Sequence, residues 1–234
     1  SSIMNLVTFT VSSLTTGVTV IMGQYLGEKR PERLGGLVGG ATCFFFIISL
    51  ILTAVLLIFA RPIAILMQAP ESALDLTVTY IRICGAGYVF IVFYNFISSI
   101  FRGLGDSRMP LLFVAIACVV NIIGDLVLVA GFHMNVAGAA IATVLAQIIA
   151  FVICWIYMIR KYEILRLQKE DFKDPSPIMV KEMISAGMSM GFMSSLINIG
   201  SLTLQTAINQ LGKEIIIAHT AARKLSEMFM IMFS

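Results

Sequence analysis

Charge is scarce in this chain. Of its 234 residues only 12% are Asp, Glu, Lys or Arg, about half the share found in a soluble globular domain. The net charge of +3 comes from short basic groups between apolar runs, so the Lys/Arg stripe of a nucleic-acid interface is missing and no nucleic-acid partner is expected. Histidine is nearly absent. His133 and His219 share no HxxxH or HExxH spacing with each other or with carboxylates, which removes the usual protein zinc site. The four cysteines, Cys43, Cys84, Cys118 and Cys154, each lie alone in an apolar run without CxxC; they read as small packing residues and identify no redox compartment. Gly35, Gly36, Gly39 and Gly40 belong to no GxxxxGK motif, so they read as close helix contacts. With no hydrolytic or redox constellation in view, an enzyme is not expected, and neither is a cofactor. No basic n-region with a cleavage site precedes the apolar pattern. The chain opens inside one apolar run and ends in another, and is expected to be a fragment of a longer protein.

What remains is apolar. Hydrophobic residues make up 59% of the chain and the mean hydropathy is +0.96, the composition of an integral multi-pass membrane protein. Helical spans are expected at about 2–26, 34–60, 72–100, 111–131, 136–159 and 178–211, with a seventh starting near 215. All six prolines fall at or beside the ends of these segments, where a missing N–H costs least. The connections around 27–33, 102–108 and 160–181 hold eleven Lys or Arg, against two in those around 61–70, 131–135 and 211–214. The basic set is therefore placed in the cytoplasm, in a cell (inner or plasma) membrane. Arg82, inside the third span, either snorkels to the interface or takes part in a buried pairing.

The most costly residue in this setting is Asp125, within LLFVAIACVVNIIGDLVLVAGF. A carboxylate deep in a span costs several kcal/mol unless it faces protein, water or a cation. Asn121 lies four residues earlier and so on the same helical face, and Gly124 leaves room for a neighbouring helix or an ion. A carboxylate with an amide oxygen is a start for holding Na⁺ or H⁺. Asn121 otherwise serves helix packing. On the next span Thr143 offers a hydroxyl across a tight connection, or bonds its own backbone. By the loop charges Asp125 lies past the midpoint of a helix running outward. In the sixth span Asn198, Ser201, Gln205 and Asn209 form a loose polar stripe, which either lines an aqueous substrate path or bonds between helices. Low dielectric would favour protonated Asp125, and Na⁺ or a nearby base its ionised form. These features suit a coupled carrier, whose carboxylate alternates between holding a cation and being empty.

Four stretches, VTVIMGQYLGEKRPER, RGLGDSRMP, NIIGD and NVAGAAIATVLAQ, give the chain a resemblance to the multidrug and toxic compound extrusion (MATE) transporters, covering nearly its whole length. That resemblance implies an all-α, polytopic helical bundle with two six-helix lobes. Residues 1–160 would be an N-lobe lacking its first helix, 161–177 a cytoplasmic inter-lobe linker, and 178–234 the start of the C-lobe, so that the chain resembles the second helix through part of the eighth. It further implies an antiporter that exports organic, often cationic or amphipathic compounds in exchange for Na⁺ or H⁺, functional as a monomer when full-length and in contact with membrane lipids. In the branch with a first-lobe cation site, an Asp and an Asn on the fifth helix and a Thr on the sixth surround the ion with an Asp of the first. Asp125, Asn121 and Thr143 match the first three; the sixth span supplied here has no embedded carboxylate like that of another branch. The alternatives are a related lipid or oligosaccharide flippase, for which a strongly basic groove is expected, and a channel or noncatalytic membrane component, for which a fixed base on Asp125 is expected.

Overall fold

The computed structural model describes residues 2–66, 71–165, 177–209 and 213–233, and among these every regular element is helical. α1 is Ser2–Gly27, α2 Arg33–Ile58, α3 Ala60–Leu66, α4 Leu74–Ala86, α5 Tyr88–Gly103, α6 Arg108–Asp125, α7 Asn135–Lys161, α8 Pro177–Asn209 and α9 Lys213–Phe233. Two compact units result, Ser1–Met190 and Gly191–Ser234.

The expected spans are found as helices, with three departures. The third span is two helices bent by 49° at Gly87. There α4 passes close to α7: a β-carbon on Gly87 would lie 2.5 Å from Val144 Cγ1, so only a glycine fits at the bend. The connection around 61–70 carries a short helix, α3. The fourth span does not run as one α-helix, because Leu126–Gly131 is a π-helical turn, closed by Phe132 N–H donating to the Val127 carbonyl at 3.0 Å. The chain then reverses within a few residues, with His133 at φ 54° and Asn135 at φ 49°, left-handed positions that His and Asn tolerate better than most residues.

Arg33–Ile58, Arg108–Gly131 and Asn135–Lys161 are long and apolar enough to cross a membrane, and the bent pair Glu71–Ala86 with Tyr88–Gly103 makes a fourth. The apolar side chains left outside the bundle fit that setting: Leu111, Ile122, Ile123 and Leu126 of the fourth span are all more than half exposed. In lipid such a face has no reason to seek a partner, and helices are held by close packing and hydrogen bonds. Arg82 is likewise exposed.

α5 is the hub of the first unit, packed against α1, α2, α6 and α7, with Val92, Phe96, Ile97, Ile100 and Phe101 almost fully enclosed. Rings knit it to its neighbours: Phe96 meets Phe45 of α2 at 5.2 Å and Phe101 meets Tyr157 of α7 at 5.8 Å between centroids, distances at which offset or edge contacts are favourable. At the basic end, Lys161 Nζ donates to Asp106 Oδ2 at 2.7 Å and lies over the Tyr157 and Tyr162 rings. This ties the connection after α5 to the last residue of α7. The start of α8 crosses α1 through two glycines. A β-carbon on Gly17 would lie 2.7 Å from Gly187 N, and one on Gly187 2.8 Å from Leu14 Cα, so the backbones themselves are in contact.

Candidate cation site

The tight turn after the π-helical segment folds α7 back along α6, and this sets the register of the site. Gly124 makes the approach possible: a β-carbon there would lie 2.9 Å from Ala142 Cβ. With the backbones this near, Asn121 of α6 reaches Thr143 of α7, its Nδ2 donating to Thr143 Oγ1 at 3.4 Å. Thr143 in turn donates to the Ala139 carbonyl at 3.0 Å. The Thr143 proton therefore goes to its own helix while its oxygen accepts from Asn121.

One turn from Asn121, Asp125 is the last α-helical residue before the π-helical turn. Its Oδ1 is buried and has no hydrogen-bond partner, and the ion pairs found among the described residues, Arg30 with Glu28 and Lys161 with Asp106, leave it out. A buried carboxylate oxygen without donor or base is a costly arrangement, and it is relieved by a cation or a proton. The fixed base expected of a channel or structural pairing is not found on Asp125 among the described residues.

The structure adds one residue to this neighbourhood. Gln147, one turn beyond Thr143, shares with Asn121 and Thr143 a cavity of ≈ 150 Å³ that is also lined by Tyr94, Ala117 and Cys118. The four-residue step from Thr143 would have pointed to Gln147. Groups of three or more His, Cys, Asp or Glu placed to hold a metal are absent among the described residues. A cation here would therefore rely on one carboxylate with neutral amide and hydroxyl oxygens. The side chains of Asn198, Ser201, Gln205 and Asn209 lie outside the described residues, as does most of the stretch 161–177. His133 stands in the reversal after the π-helical turn and His219 on α9.

The MatE family model matches residues 1–127. A probable multidrug resistance protein of Bacillus subtilis, YpnP, is 30% identical over 228 residues, which are 95% of this chain and 47% of that protein. Two solved structures of a multidrug resistance MATE family transporter of the MOP superfamily share the fold. The inward-facing one has a TM-score of 0.76 at 21% identity, covering 96% of this chain and 51% of its own. The outward-facing one has a TM-score of 0.76 at 22% identity, covering 92% and 48%. The chain thus spans about half the length of the proteins it matches.

Proposed function

The chain belongs to the MatE family, and from that premise we propose that it forms the cation-coupled part of a multidrug efflux antiporter. The transporter exchanges organic, often cationic or amphipathic compounds for Na⁺ or H⁺ across a cell membrane by alternating access. The observation that carries the reading is the buried Asp125 oxygen left without donor or base, one turn from the Asn121–Thr143 contact that joins α6 to α7.

In this reading Asp125 is the coupling carboxylate. Asn121 Nδ2 is committed to Thr143, so its Oδ1, the accepting Thr143 hydroxyl and Asp125 Oδ1 are the oxygens offered to the ion. Binding a cation neutralises Asp125 and removes the cost of its isolation; release restores that cost and favours the conformation in which the carboxylate is otherwise satisfied. The differential affinity of the two access states for the ion is what couples its downhill movement to uphill export. Residues 1–160 act as the N-lobe and 178–234 as the start of the C-lobe, with Asn198, Ser201, Gln205 and Asn209 along the substrate path.

The test is efflux of an organic cation from vesicles containing the complete transporter, with the Na⁺ and H⁺ gradients imposed separately. Export driven by at least one inward cation gradient supports the reading. Export indifferent to both gradients, or movement of lipid-linked cargo in their place, would replace it with the flippase alternative.

A further inference from the structure

Asp125 Oδ1 has a counterpart nearby. Gln147 Oε1 is also buried and without a hydrogen-bond partner, and Gln147 lines the ≈ 150 Å³ chamber with Asn121 and Thr143. Leaving an amide oxygen unpaired in the interior costs about 1–3 kcal/mol, a cost that an occupant of the chamber would relieve. The volume suits about five waters, or a cation with part of its hydration shell.

The positions are graded. From Asp125 to Asn121 is four residues of α6, and from Thr143 to Gln147 four of α7; each step is about 6 Å along a helix axis. Asn121 and Thr143 touch, so the oxygens run in sequence from Asp125 through Asn121 and Thr143 to Gln147. The chamber walls continue to Val114, towards the Arg108 end of α6, where the basic connections place the cytoplasm. Below Asp125 the donors are all neutral. Hard neutral oxygens replace water around an alkali cation without trapping it, whereas a proton needs no such set.

Resting on the coupling role of Asp125, we propose that this chamber is a transit site for Na⁺, in which Gln147 Oε1 receives the partly hydrated ion after it leaves Asp125 for the cytoplasm. Gln147 is then a ligand of the moving ion, and the Asn121–Thr143 contact is the threshold between the two positions.

Cys118, which is exposed, lines the same open cavity, and its reactivity on that side supplies a local readout. The chain in lipid nanodiscs is treated with a small alkylating reagent in NaCl or in choline chloride of equal ionic strength, and modification of Cys118 is followed by peptide mass spectrometry. Occupancy by Na⁺ slows alkylation, by about tenfold when the ion is at about ten times its apparent Kd. Gln147→Leu removes the protection while Cys118 still reacts in choline, and Gln147→Glu moves protection to lower Na⁺. Equal protection in the native chain and in Gln147→Leu overturns the transit site, as does absence of protection in the native chain. The coupling reading fails separately: cation-driven efflux that survives Asp125→Asn in the complete transporter overturns it, whatever the labelling shows. Efflux lost in Asp125→Asn with full Na⁺ protection in Gln147→Leu sinks the transit site alone.

Discussion

Gly124 sets the distance between the two helices that carry the site, and adding one methyl group there tests whether that distance matters. In Gly124→Ala the new carbon would lie 2.9 Å from Ala142 Cβ and 3.3 Å from its Cα, where carbon atoms prefer about 3.5–4.0 Å. Neither neighbour is the end of a flexible side chain, so α6 and α7 must part by about 0.6–1.1 Å. The Asn121–Thr143 contact is already long at 3.4 Å and would open beyond hydrogen-bond range. Overpacking of this kind costs about 1–3 kcal/mol. Thermal unfolding of the purified chain should show the loss, as a midpoint lowered by about 2–4 °C per kcal/mol. The double variant with Ala142→Gly returns the space and should recover part of it, less about 1 kcal/mol for glycine within a helix. Strict additivity of the two substitutions in the double-mutant cycle would show that the helices do not meet as described.

Three further outcomes follow from the packing. Gly17→Leu and Gly187→Leu should each lower the unfolding midpoint, because both put a side chain into backbone at the α1–α8 crossing, whereas Gly23→Leu, with nothing within 4 Å of its β-carbon, should leave it unchanged; equal effects of all three would remove the crossing. Phe45→Ala, fully buried against Phe96, should cost about 3–5 kcal/mol in denaturant unfolding, and Ile122→Ala on the exposed face less than about 0.5 kcal/mol. The Lys161 ammonium on Asp106 holds that carboxyl below its ordinary range. The stabilisation is therefore present above the unfolded carboxylate pKa of about 3.9 and is lost as pH falls through the lower folded value. Midpoints measured down that range should fall in the native chain and lose this component in Asp106→Asn; identical profiles would show that the pair contributes nothing.

Much of the bundle was legible in the sequence because its boundaries are chemically marked. GEKRPER between α1 and α2 and GLGDSRMP before α6 place glycine, proline and charge where apolar runs stop. The bend at Gly87 lies inside ICGAGYVFIVF, apolar on both sides, and the close approach that leaves no room for a side chain there involves Val144 on another helix. The π-helical turn in LVLVAG has no residue that announces it, since any apolar residue can sit in it; such turns gather at functional positions, and this one begins immediately after Asp125. Within the site, Asp125, Asn121 and Thr143 could be read from one helical period and one short connection. Gln147 lies at the next four-residue step from Thr143, but its unpaired oxygen and the cavity it lines have no sequence signature.

The central claim is that Asp125 carries the coupling cation. Its most direct test is Asp125→Asn in the complete transporter, reconstituted in vesicles and assayed for organic-cation efflux under an imposed Na⁺ or H⁺ gradient, with membrane insertion measured in parallel. The substitution keeps the shape of the side chain and removes its charge. The account predicts normal insertion with loss of gradient-driven efflux, and gradient-driven efflux at the native rate would contradict it.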